Sequence, residues 1–110
     1  MVFDMRDAKK EIYPHFKGGE KEMIATIWED DKIKVVHGRL EPGATTGFHK
    51  HEGDCEILYV LQGKGKYLYD DGVEYAVEGQ CQYCPEGHWH SMINEGPEDL
   101  VFYAVIPKKV

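Results

Sequence analysis

Two short segments constrain this chain more than anything else in it. The first is GATTGFHKHEGDCEILYVLQG, residues 43–63, and the second is GQCQYCPEGHWHSMIN, residues 79–94. His49 and His51 are separated by one residue. On a strand, residues two apart share a face and lie about 6.6 Å apart along the chain. Imidazole nitrogens reach well beyond the backbone, so both rings can converge on one point. Residues 52–54, Glu-Gly-Asp, are turn formers. A reversal there brings Glu56, at the start of the next strand, back toward the histidines. His90 follows the Pro85-Glu86-Gly87 turn in the second segment. Three imidazoles and a carboxylate form a mixed nitrogen and oxygen set that suits a divalent transition metal better than calcium or magnesium. Any fold for this chain must bring those two segments together.

The residues also match a known pattern. In the first segment Gly43, His49, His51, Glu56 and Gly63 stand at the fixed positions of a glycine, five residues, His-x-His, four residues, Glu, six residues, glycine. In the second, Gly79, Pro85, Gly87, His90 and Asn94 fit a glycine, five residues, Pro-x-Gly, two residues, His, three residues, Asn. With these ten positions the chain resembles the cupin superfamily, in its small single-domain form. The resemblance implies an all-β fold, a double-stranded β-helix or jelly-roll barrel. It also implies one divalent metal ion held by His49, His51, Glu56 and His90, with iron, manganese, nickel and zinc all open. The activities it implies are broad: dioxygenases, decarboxylases, lyases, sugar isomerases and proteins without catalysis. A fold alone does not choose among them.

Composition narrows the partners. The 110 residues suit one domain, read as an N-terminal arm over residues 1–22 and a barrel over residues 23–110. A net charge of −7 argues against nucleic acid or an anionic membrane surface as partner. Residues 1–7 lack a basic start followed by an apolar run, so no secretory signal is expected. No apolar stretch approaches the ~20 residues of a membrane span. Three cysteines, an odd number, fit reduced thiols in a cytoplasmic protein. Cys81 and Cys84 resemble a redox or zinc half-site, but on a strand they face opposite sides about 10 Å apart, too far for a disulfide, and no second Cys-x-x-Cys exists. They read as small thiols of the sheet.

Along the chain, strands are expected over residues 23–28, 33–41, 55–61, 66–69, 73–77, 80–84, 88–93 and 100–106, with residues 1–22 irregular and any helix short. Within 33–41, alternation separates Ile33, Val35, His37 and Arg39 from Lys34, Val36, Gly38 and Leu40 without deciding which set is inside. If Glu56 points inward, Leu58, Val60 and Gln62 follow by parity, and Ile57, Tyr59 and Leu61 point outward. Inward aromatics are expected among Phe48, Tyr67, Tyr69 and Tyr83. Strands 55–61 and 100–106 are apolar on both faces, and a sheet with one face on a core needs only one apolar face. The outer stripe is therefore expected to be covered by a second copy, giving a homodimer.

His88 shares parity with His90 and is expected on the inner face, as a general base beside the metal. The ligand set leaves one or two coordination positions for a small molecule. The reading taken first is a metal-dependent enzyme acting on a small oxygenated metabolite that chelates through two oxygens. The alternative is a non-catalytic domain that binds or senses a small molecule or metal.

Overall fold

The computed structural model describes residues 1–109. Ten strands form it: β1 (Lys9–Pro14), β2 (Glu22–Glu29), β3 (Ile33–Leu40), β4 (His49–Lys50), β5 (Glu56–Gln62), β6 (Lys64–Tyr69), β7 (Gly72–Val77), β8 (Cys81–Cys84), β9 (Trp89–Ile93) and β10 (Leu100–Pro107). They make two antiparallel sheets. One has the order β1-β2-β3-β10-β5-β8 and the other β4-β9-β6-β7. The two sheets close over a core that includes Leu40, Leu58, Val60, Tyr67, Leu100 and Phe102. This is the expected double-stranded β-helix. The only helical pieces among the described residues are single 3-10 turns at Met5–Asp7 and Phe16–Gly18. No helix there is long and apolar enough to cross a membrane.

The open question in β3 is settled by packing. Val36, Gly38 and Leu40 are buried, so the Lys34 set faces inward and His37 and Arg39 face out. His37 lies edge-on against the Tyr103 ring of neighbouring β10. Gly38 is required inside because a Cβ there would lie 2.2 Å from the Phe102 ring. In β5 the alternation holds for Glu56, Leu58 and Val60. It fails at Gln62, which is exposed. The pairing with β10 shifts between Val101 and Phe102, so Leu61 is an extra residue and parity is lost beyond it. Of the four candidate inward aromatics only Tyr67 is fully buried; Phe48 and Tyr83 are exposed, and Phe48 stacks on Trp89 at the surface.

The stretch read as irregular, residues 1–22, contains β1. Its residues pair with β2 from Lys9↔Ile27 to Pro14↔Glu22. The sequence hid it because Lys9, Lys10 and Glu11 mask the alternation of an edge strand, where one row of backbone groups is unpaired and charges are common. Residues 15–21 then fold back on the segment preceding β4. The Gly47 N–H donates to the Phe16 carbonyl at 2.9 Å, and the Thr45 N–H to the Glu20 carbonyl at 3.0 Å. His15, Lys17 and Lys21 are held at positive φ in this loop. Such conformations cost about 1–3 kcal/mol each and persist where surrounding bonds over-determine them.

Gly47 is the tightest point of that contact. A Cβ at this position would lie 1.7 Å from the Lys17 carbonyl oxygen, a backbone atom that cannot swing aside. Gly47→Ala is expected to lower stability by about 1–3 kcal/mol, in line with overpacking a close contact. A chemical denaturation midpoint equal to that of the unaltered protein would show that the loop is not held in this way.

Candidate metal centre

His49 and His90 are directly opposite each other in the β4–β9 pairing. His51 lies just beyond β4, where its N–H donates to the His88 carbonyl and its carbonyl accepts from the Gly87 N–H. Glu56 opens β5 on the facing sheet. The Glu52-Gly53-Asp54 reversal that joins the two sheets is pinned by a bond from the Gly53 N–H to the Glu86 carboxylate. The four residues expected from the sequence are thus brought together. One ligand atom from each can be chosen so that all four lie within 4.8 Å of one another. The His51 and His90 side chains are 8% and 3% exposed, and that of Glu56 is 13% exposed.

Each imidazole is oriented through its Nδ1. His49 Nδ1 donates to the Gly47 carbonyl at 2.7 Å. His51 Nδ1 donates to Asp54 Oδ1 at 2.7 Å. His90 Nδ1 donates to Gln82 Oε1 at 3.0 Å. The Gln82 amide nitrogen faces Glu74 Oε1 and the Tyr83 carbonyl, both acceptors, and this fixes the amide so that its oxygen points to His90. With Nδ1 protonated, the Nε2 of each neutral ring carries only a lone pair. Hydrogen bonds of this kind, from metal-binding histidines to fixed acceptors, set the tautomer and raise ligand basicity.

The consequence is a knot of acceptors. His51 Nε2 and His90 Nε2 are 3.0 Å apart, and Glu56 Oε1 is 3.1 Å from the first and 2.9 Å from the second. Three acceptors at that spacing repel unless a cation sits among them. Three imidazole nitrogens and a carboxylate oxygen are the donor types that suit a divalent transition metal, so the residues present fit such an ion. In the protein alone a proton can take that place. Burial pulls the His51 pKa down, but its bonds to Glu56 and Asp54 outweigh this and leave it raised. Burial pushes Glu56 up, yet the positive charge that a protonated imidazole brings to its Oε1 outweighs this and holds it at about 2. His49 is lowered, chiefly by burial.

His88 is not where parity put it. It precedes β9 and sits in the turn after Pro85, so strand alternation does not govern its side chain. Its Nδ1 is 2.6 Å from Asp70 Oδ2, its ring stacks on Tyr69, and its side chain is 44% exposed. It does not line the cavity above the four residues. The residues sequence reasoning missed are Asp54 and Gln82. Asp54 was read only as a turn former. Gln82 is a polar residue at an inward position of a short strand, and that was the available signal.

Comparison with known proteins agrees with this geometry. A model of the cupin domain family matches residues 36–106. An oxalate-binding protein of Thermotoga maritima is 42% identical over 69 residues, which are 62% of this chain and 56% of that protein, so the match spans little more than half of its length. A β-alanine degradation protein of Pseudomonas aeruginosa is 29% identical over 87 residues, 76% of this chain and 92% of that one. A solved Thermotoga maritima structure, described as a predicted oxalate decarboxylase, superposes with a TM-score of 0.89 at 30% identity, covering 98% of this chain and 99% of the other. On its motifs, its two facing sheets and these matches, the chain belongs to the cupin family.

Proposed function

We propose that His49, His51, Glu56 and His90 hold one divalent transition metal, and that the chain uses it to bind and act on a small oxygen-chelating acid. The observation that carries this reading is the triangle of acceptors among His51, His90 and Glu56, which needs a cation at its centre. The similar proteins named for oxalate binding and oxalate decarboxylation support a small dicarboxylate or related acid as ligand. When bound, such a metal polarises an oxygen of its ligand and stabilises negative charge that develops there. The protein orients three imidazoles through Gly47, Asp54 and Gln82. It also walls the centre off within the barrel, where charge interactions are stronger than in water.

One observation favours the non-catalytic alternative. None of the titratable side chains that line the cavity apart from the four residues is buried: Tyr13, Lys34 and Lys108 are part-exposed, Lys17, Glu29, Lys50 and Glu52 are exposed, and Asp54 is already bonded to a histidine. With His88 turned to Asp70, this reading gives it no part in proton transfer. A binding domain needs only the centre and the cavity. Turnover in a screen of small acids on the metal-loaded protein separates the two.

We also propose that the outer face of the six-stranded sheet pairs with a second copy of the chain. Ile57 and Tyr59 on that face are each 43% exposed, and Val35 and Val105 lie beside them. Light scattering at micromolar concentration should give the mass of a dimer; a monomer mass overturns this.

Two substitutions test the centre. His51→Ala should abolish stoichiometric metal in elemental analysis, and an unchanged equivalent would show that His51 is not a ligand. Gln82→Leu should fold but leave the His90 Nδ1–H without its acceptor. Loss of such a partner weakens metal affinity about 10–100-fold. Competition with a chelator measures it, and an affinity within twofold of the unaltered protein would remove Gln82 from the centre.

A further inference from the structure

The four residues occupy one part of a much larger space. The cavity between the sheets measures about 400 Å³. At roughly 30 Å³ of liquid volume per water, it has room for about a dozen water-sized groups, several times what the smallest dicarboxylate fills.

The deep end of that wall is apolar, and the register explains why. Two residues deeper than Glu56, Leu58 stands opposite Ala104, Ala104 opposite Val36, and Val36 opposite Ile27. All four side chains point inward and line the cavity, forming one continuous apolar row across four strands. Phe102 closes the row from behind, and Met92 faces it from the other sheet. Thr46 also lines the cavity, but its hydroxyl already accepts from the Met92 N–H. Of the ionisable lining residues other than the centre, Tyr13, Lys34, Asp54 and Lys108 are part-exposed and the rest are exposed. A ligand with no apolar part would leave this wall against water. Burying a methylene there tightens binding about fourfold.

We infer that the ligand is a carboxylic acid with a second oxygen donor on the adjacent carbon and an apolar body of several carbons. The polar head lies at the His49, His51, Glu56 and His90 centre, and the body lies on the Leu58–Ala104–Val36–Ile27 row. This rests on the metal reading proposed above. In these terms oxalate supplies the head group alone.

The test is calorimetric titration of manganese-loaded and metal-free protein with oxalate and with straight-chain 2-oxo acids from pyruvate to 2-oxooctanoate. In the loaded protein, affinity should rise about fourfold per methylene over several carbons and then level off as the cavity fills. The longer acids should exceed oxalate by at least tenfold, and the metal-free protein should bind all of them far more weakly. If oxalate binds only with metal but affinity stays flat or falls with chain length, the apolar-bodied class is wrong and the metal reading survives. If affinity rises with length equally in the metal-free protein, the metal reading fails and takes this assignment with it. If no acid binds, oxalate included, both are overturned.

Discussion

The interaction on which the site depends is a repulsion. Two imidazole nitrogens and a carboxylate oxygen, all lone-pair bearers, are held about 3 Å apart in a nearly closed space. Neither ring can turn away, because the far nitrogen of each is tied to a fixed acceptor. Buried acceptors without a partner are costly. The arrangement is therefore a demand for positive charge, met by a proton or, more fully, by a multivalent cation. Breaking any of the Nδ1 bonds frees a ring to rotate and weakens that demand.

The scaffold's role is to keep those acceptors from relaxing. The β4–β9 register sets His49 against His90. The Glu52-Gly53-Asp54 reversal places Glu56 on the facing sheet and supplies the acceptor for His51. The least obvious support comes from the N-terminal stretch. Phe16 accepts from the Gly47 N–H, and the Gly47 carbonyl in turn accepts from His49. A loop far away in sequence thus holds one ring of the centre, and its Phe16, together with Tyr13 of β1, walls the cavity.

Much of this was legible in the sequence, for reasons tied to particular residues. His49, His51, Glu56 and His90 were readable because their spacing is strict and turn formers flank them. The inward set of β5 was readable as far as Val60 because alternation is reliable in a regular strand. It broke at Gln62, where a bulge adds a residue, and at His88, which stands outside its strand. The inner face of β3 was undecidable from alternation because both sets mix apolar and polar residues; only the fit of Gly38 against the Phe102 ring decides it. β1 was missed because charges mask an edge strand. Asp54 was missed because its bond to a ring three residues earlier is masked by its role as a turn former, and Gln82 because its inward parity marks it as unusual but does not name His90 as its partner.

The most direct test of the account is a crystal structure of protein loaded with manganese or iron, with anomalous diffraction collected at the edge of that metal. The account predicts one strong peak per chain, about 2.0–2.2 Å from Nε2 of His49, His51 and His90 and from a carboxylate oxygen of Glu56. An anomalous map with no peak at that point, or with the ion bound elsewhere on the chain, would contradict it.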